Sequence, residues 1–514
     1  MPTNRYIDTR GYCENPATFT EAVVEGLADG GGLFVPETLP HFSLEEIISL
    51  AKLPYAKRAA KIYSAFNIDI DDETISSLME QAYGEQFDSE DICPITSLDN
   101  KTHILELWHG PTSAFKDMAL QCLPLFFAES ASRLREAGSI HHNFLILVAT
   151  SGDTGKAALE GFKDKEGVKI AVLYPHGGVS DIQYKQMATQ AGNNVEVWSV
   201  KGNFDDCQTG VKSVFNDEDF NGKLLADYQF ALSSANSINW GRLLPQIVYY
   251  ISSYGKLVND GKLSAGEPLD VCVPTGNFGN ILAAWYAKQM GTPLGKLFCA
   301  SNENRVLTDF ISTGEYSIAN RPFVLTPSPS MDILISSNME RQLFELTGRD
   351  GETISKWMKN LKETGSFKID STTLEKLQAD FASDSVDNAT CLETIGRVLK
   401  DYNYLVDPHT AVAIKATQNL RGENQVLIAS TAHWAKFGEN VYRGIHDIAP
   451  KDPLPAEVSA LSGCELNELI ANETNNHNIP QGLAELDSKD IRFKEVIDNS
   501  VESIETAVNS FLSK

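Results

Sequence analysis

Positive charge is scarce in this chain. Against 69 aspartates and glutamates stand 43 lysines and arginines, a formal net charge of −26 over 514 residues. Nucleic acids and anionic membrane surfaces are gripped by clustered cations, so the balance argues against both as partners. None of the eight cysteines falls in a C-x-x-C pair, and no zinc site is expected. Cys272 and Cys299 lie in apolar runs and read as small core residues, a usage that suits the reducing cytoplasm. The ten histidines include no H-x-x-x-H pair. His141-His142 precedes a strand and reads as loop rather than as a metal ligand. No apolar run is long enough to span a membrane, and Met1-Pro-Thr-Asn-Arg-Tyr6 has no apolar signal core. There is no internal repeat and no low-complexity tract.

With 42% hydrophobic residues, the chain can bury a large core and should form two or three domains. Apolar runs of strand length recur at Phe144–Ala149, Lys169–Tyr174, Val195–Val200, Asp270–Val273, Lys296–Ala300 and Gln425–Ala429. Helical patterns separate most of them, which predicts an α/β fold with parallel sheets covered by helices on both faces. Such sheets bind ligands at the carboxyl ends of their strands. Roughly the first 95 residues are largely helical by pattern, with a helical run from Glu21 to Leu27 that Gly30–Gly32 stops. Leu374, Leu377 and Phe381 are spaced as one face of a packed helix. After Leu454 the tail reads as acidic helices around the loop Asn472–His477.

Four segments carry chemistry. In Leu107-Trp-His-Gly-Pro-Thr-Ser-Ala-Phe-Lys-Asp117, Lys116 follows a Gly110-Pro111 turn and is fenced by Ala114 and Phe115. A poorly solvated lysine loses its proton readily, and a neutral amine can form a Schiff base with an aldehyde such as pyridoxal phosphate. The run Leu269–Pro274 leads into Thr275-Gly-Asn-Phe-Gly-Asn280 and then a helical pattern. Strand, glycine turn and helix point free backbone N–H groups at an anion. The turn matches neither G-x-x-x-x-G-K-[ST] nor G-x-G-x-x-G, so no nucleotide fingerprint is present. A second cradle of this design is Thr150-Ser-Gly-Asp-Thr-Gly155, with hydroxyls on Ser151 and Thr154. Asp153 could cap the following helix or sit by a cofactor ring. The fourth segment, Ser234-Ala-Asn-Ser-Ile-Asn-Trp-Gly-Arg242, groups amides, hydroxyls and an arginine suited to phosphate or carboxylate.

Together with Tyr6–Arg10, Gly26-Leu-Ala-Asp-Gly-Gly-Gly-Leu-Phe-Val-Pro36 and Ser430-Thr-Ala-His-Trp-Ala-Lys-Phe437, these segments resemble the threonine synthase family, in its longer fungal and enterobacterial type. The resemblance covers most of the chain in the family's order. It implies a fold type II pyridoxal-phosphate enzyme, with a smaller sheet domain inserted in a larger one and the cofactor, pyridoxal 5′-phosphate, between them. The implied boundaries are residues 1–95 for an amino-terminal flanking domain, 96–140 with 240–455 for the large cofactor domain, 141–239 for the smaller one, and 456–514 for a helical tail.

By the same resemblance, Lys116 matches the Schiff-base lysine, and Gly276, Asn277, Phe278, Gly279 and Asn280 match the loop around the cofactor phosphate. Thr431 matches the hydroxyl facing the pyridine nitrogen, Asp153 a position near the 3′ oxygen. Thr431 also has a plainer reading, as a helix N-cap after its strand, and both roles can hold at once. Ser151, Thr154, Asn236, Ser237 and Arg242 match positions that hold substrate phosphate or carboxylate. Trp434 stands where many members have proline, so the resemblance assigns no role to His433 or Lys436. The implied reaction takes O-phospho-L-homoserine and water to L-threonine and phosphate, the last step of threonine biosynthesis. Two alternatives share the motifs: a phospho-lyase releasing 2-oxobutyrate, and a non-catalytic binding protein that has kept the fold. Intact Lys116 and Asn277–Asn280 weigh against the second. A monomer or homodimer is expected.

Overall fold

A computed structural model describes residues 3–475 and 477–514, with Asp205 described by its backbone alone. The first two residues of the amino-terminal stretch and Asn476 of the tail's loop therefore lie outside the described residues. All six apolar runs form strands, and helices lie between them. Two sheets dominate. The larger has six strands in the order Phe381–Ser385, Leu294–Ser301, Leu269–Pro274, Gln425–Ser430, Thr102–Glu106 and Ile95–Ser97. Its neighbours run parallel except at the Ile95–Ser97 edge. The smaller sheet is parallel throughout, in the order Val496–Ile497, Val195–Val200, Val168–Pro175, Asn143–Ala149 and Phe230–Ser233.

Between the sheets' helical layers runs Trp240–Asn259, buried along nearly its whole length. Its apolar residues anchor the largest core cluster, and Arg242, Gln246, Ser252 and Ser253 are buried along with them. Four helices fill much of the amino-terminal region, Phe19–Glu25, Leu44–Leu50, Tyr55–Ala65 and Asp72–Ala82. A short antiparallel strand pair, Tyr6–Asp8 with Phe34–Pro36, joins them.

The structure corrects several local expectations. The first helix stops at Gly26, whose φ of 70° ends the helical path four residues before the glycine triplet. Gly30–Gly32 instead make a turn so tight that added side-chain carbons would meet Tyr12, Arg10 and Asp8. The helix carrying Leu374 and Leu377 ends at Asp380, and Phe381 begins a strand on the edge of the larger sheet. The tail is not purely helical. Val496–Ile497 pairs with Ser199–Val200, and the helix Val501–Leu512 packs behind it. Accordingly we propose the domain division given above with one amendment, residues 496–514 joining the smaller sheet.

Candidate active site

Lys116 opens the short helix Lys116–Leu120. Asp117 ties down the preceding loop, accepting from the Thr112 N–H at 2.8 Å and the Thr112 hydroxyl at 2.7 Å. Burial pushes the Asp117 carboxyl up to about 6, with Thr112 pulling the other way. Gly110 has to be glycine here, since a Cβ would overlap Asp117. Upstream, Asp88 and Glu106 flank the His109 ring, with Glu106 at 2.9 Å. Burial lowers the His109 pKa, but the two carboxylates outweigh it and raise the ring to about 9. The lysine loop is stitched to the end of the strand Gln425–Ser430. The Phe115 N–H donates to the Thr431 carbonyl at 2.8 Å, and the His433 N–H to the Ser113 carbonyl at 3.1 Å.

The Lys116 side chain is 7% exposed. Its Nζ lies 3.4 Å from Ser330 Oγ, 3.6 Å from Asp153 Oδ2 and 4.8 Å from the centre of the Phe115 ring. Burial lowers its pKa to about 8 against the pull of Asp153, and Arg242 and Lys436 lower it further. Asp153 is the first residue of the helix Asp153–Phe162 and does not cap it. That task falls to Thr150, whose hydroxyl accepts from the N–H groups of Gly152 and Gly155 at 3.0 and 2.9 Å. Asp153 is thus free to face the amines. Burial alone would raise its pKa, but Lys436 and Lys116, with Gln183 and His409, hold it far below the usual carboxylate range.

The glycine turn is built as its sequence requires. Phe278 takes the left-handed conformation, φ 62°, and starts the helix Gly279–Gln289. The Phe278 ring packs 5.3 Å from Phe381. A Cβ on Gly276 would stand 2.7 Å from the Ser330 carbonyl oxygen. The Asn277 carbonyl accepts from both the backbone and side-chain nitrogens of Asn338, each at 3.1 Å. The N–H groups of Gly279, Asn280 and Ile281 precede the first intrahelical bond and face outward. Asn280 accepts from Tyr249 and Tyr250, each at 2.6 Å, while its buried Nδ2 has no partner among the described residues.

A cavity of ≈ 510 Å³ brings these pieces together. Lys116, Ser151, Thr154, Asn236, Ser237, Arg242, Gly276, Asn277, Phe278, Gly279, Asn280 and Thr431 all line it, drawn from both sheets; Asp153 lies behind the lining, against Lys116 and Ser330. Arg242 is 5% exposed and donates to the Ala235 carbonyl at 3.1 Å. It makes no ion pair among the described residues, and burial lowers its pKa to about 10. A larger groove of ≈ 830 Å³ lies among the amino-terminal helices, but its charged side chains, Glu46, Lys57, Lys61, Asp72 and Glu80, are all exposed. No buried titratable group lines it, whereas the smaller cavity holds the buried Lys116 and Arg242, which makes the smaller cavity the candidate chemical site.

Two residues enter the site that the motifs did not single out, Ser330 and His409, and Lys436 joins them from a segment that carried no assigned role. Ser330 Oγ bridges Lys116 and Asp153, at 3.4 and 3.3 Å. His409 Nε2 accepts from the Ser330 N–H at 3.1 Å, which puts the ring proton on Nδ1, 2.6 Å from Asp407. Their sequence signal is Asp407-Pro408-His409-Thr410, an Asp N-cap with proline in the first turn. Lys436 is fully buried, 3.0 Å from Asp153 Oδ1. His433 caps the turn Trp434–Phe437 through Nδ1. Its pKa falls to about 3 through burial, with His109 and Lys436 adding to the effect. Thr431 is no cap; it meets the lysine loop through its carbonyl and lines the cavity.

Residues 5–83 match the model of the threonine synthase amino terminus, 100–431 that of pyridoxal-phosphate-dependent enzymes, and 410–468 that of the threonine synthase carboxyl terminus. The chain belongs to the threonine synthase family of pyridoxal-phosphate-dependent enzymes. Threonine synthase of Saccharomyces cerevisiae is 38% identical over 89% of this chain and 93% of its own. Human threonine synthase-like 1 is 44% identical over 83% of this chain, which spans only 58% of that longer relative. The solved structure of pyridoxal-phosphate-bound threonine synthase from Brucella melitensis superposes with a TM-score of 0.85 at 34% identity, covering all of both chains. Members of this family are lyases, and pyridoxal phosphate is the family's cofactor. The site fits that group: a buried amine, a glycine turn with no room for side chains, a free helix amino terminus and an unpartnered Asn280 amide stand in one cavity.

Proposed function

We propose that this protein is a threonine synthase, converting O-phospho-L-homoserine and water to L-threonine and phosphate. The observation that carries the reading is a pair of anion cradles in one cavity. One is the turn Gly276–Asn280, which would hold the cofactor phosphate. The other is Arg242 with Ser151, Thr154, Asn236 and Ser237, a buried guanidinium with no carboxylate of its own. A buried, unpaired cation is costly, and a phosphorylated substrate would neutralise it.

Lys116 would hold the cofactor through its amine, with Thr431 offering a hydroxyl to the ring nitrogen and Asp153 a carboxylate beside the ring's 3′ oxygen. Bound there, pyridoxal phosphate supplies the electron sink that lets a proton leave the substrate's α-carbon. With a pKa near 8, Lys116 can both take and return a proton close to neutral pH. We assign it the proton transfers at the α- and β-carbons; the γ-carbon, once phosphate has left it, takes up a proton to become the methyl of threonine. Arg242 and the hydroxyl cluster would grip the phosphate as it leaves the γ-carbon. The two sheets, closing over the cavity, would limit water to the molecule that adds at the β-carbon. A cytoplasmic setting accords with eight unpaired thiols, seven of them buried.

A second reading is a lyase that releases phosphate and 2-oxobutyrate through the same lysine and cradles. The 44% identity to a protein named threonine synthase-like rather than threonine synthase keeps it in view. Product analysis separates the two. Purified, cofactor-loaded protein given O-phospho-L-homoserine should yield threonine and phosphate in equal amounts. Phosphate with 2-oxobutyrate would establish the lyase instead.

A further inference from the structure

Asp153 stands between two buried amines. Lys436 Nζ is 3.0 Å from Oδ1, and Lys116 Nζ is 3.6 Å from Oδ2. The two amines are not equivalent. Lys436 is 0% exposed and its Nζ also donates to the Thr112 carbonyl at 2.8 Å. It sits on the turn Trp434–Phe437, where the Lys436 carbonyl accepts from Ser180 at 3.1 Å. Nothing in that position lets its ammonium reach water, so it has to be paired. Lys116 opens on the cavity and reaches Asp153 only at the longer distance.

The other charged groups around Lys116 do not change this assignment. Arg242 faces it as a second cation. His409 is directed at the Ser330 N–H and Asp407. Both oxygens of Asp117 are taken by Thr112. Asp332 is held by Thr326, Asn302 and Asn304. Asp153 is therefore the one carboxylate within ion-pair distance of Lys116 among the described residues, and Lys436 already engages it.

We propose that Lys436 is a positioning residue for Lys116: it holds Asp153 in a standing ion pair, so that Lys116 sheds its proton and presents a free amine. With Lys436 removed, Asp153 would turn its whole charge on Lys116 and hold it as an ammonium. The pair also keeps Asp153 ionised while Lys116 cycles between free and bonded forms. The proposal rests on Lys116 being the working amine but is independent of which product forms.

The test is competitive acetylation of the cofactor-stripped full-length protein across pH, with labelling of Lys116 read by mass spectrometry. In the unaltered protein the Lys116 midpoint should lie near 8. Lys436→Met should raise it by about one unit or more, so that labelling at pH 7 falls about tenfold. Asp153→Asn should lower the midpoint, and adding Lys436→Met to that variant should raise it by much less than the same change does in the unaltered protein, because with Asp153 neutral Lys436 has no carboxylate to hold. This double variant removes both members of the buried Lys436–Asp153 pair together and so gives an answer even if Lys436→Met alone does not fold. An unmoved midpoint in Lys436→Met, or a rise of about one unit or more when Lys436→Met is added to Asp153→Asn, would overturn the proposal. A wrong choice of substrate would leave every one of these midpoints in place.

Discussion

Arg242 is the residue that would separate the two proposed anion sites. The one hydrogen bond of its guanidinium among the described residues goes to the Ala235 carbonyl, so its remaining donors are available to a ligand. Arg242→Ala should raise KM for phosphohomoserine by about 10- to 150-fold, the value of a charge-assisted bond at about 1.5–3 kcal/mol. Cofactor absorbance should stay intact, because the proposed phosphate turn at Gly276–Asn280 is a separate piece of chain. Loss of absorbance in this variant would move Arg242 into the cofactor site. At this scale the sequence was legible where chemistry and backbone demands coincide. Lys116 beside Ala114 and Phe115, and the paired glycines Gly276 and Gly279, announce themselves. Ser330 and His409 do not, and Lys436 stood in the Ser430–Phe437 segment without an assigned role, because each acts through a neighbour brought from far along the chain. His409 meets Ser330 across 79 residues, and Lys436 meets Asp153 only through the fold.

Helices and strands place those residues, and one close helix contact is open to test. The helix Asp153–Phe162 presses on Lys116–Leu120 so closely that a Cβ on Gly161 would overlap the Leu120 carbonyl oxygen. A backbone atom cannot swing aside as a side chain can. Gly161→Ala should therefore cost about 1–3 kcal/mol in stability and weaken cofactor retention, since the Lys116 helix would be displaced. Gly222→Ala is the matching control: its Cβ would meet nothing within 4 Å, and losing a helical glycine should stabilise by about 0.5–1 kcal/mol. Thermal melts of the two variants should move in opposite directions. The strands visible in the sequence were those apolar along their length, such as Phe144–Ala149. Thr102–Glu106, Phe230–Ser233 and Phe381–Ser385 were hidden. Each mixes polar and apolar residues and becomes a strand through partners supplied elsewhere, Gln425–Ser430, Asn143–Ala149 and Leu294–Ser301. Phe381 in particular continues the apolar spacing of the helix before it, and only the sheet edge shows where that helix ends.

At the scale of the whole molecule, two largely parallel sheets meet over one cavity, and segments that follow their strands bring Lys116, the glycine turn and the hydroxyl cluster to it. The alternation of strands and helices made the α/β architecture readable, but the sequence could not show that residues 496–514 return to the smaller sheet. Two apolar residues, Val496 and Ile497, are too short a run to register as a strand. The central claim is that this assembly exists to work one particular lysine. Borohydride reduction of the protein with its cofactor bound, followed by digestion and mass mapping, locates the lysine directly, because reduction fixes a carbonyl cofactor to its amine. The account predicts a phosphopyridoxyl group on Lys116 and on no other lysine. Finding it on Lys436, the other buried amine beside Asp153, would contradict the account.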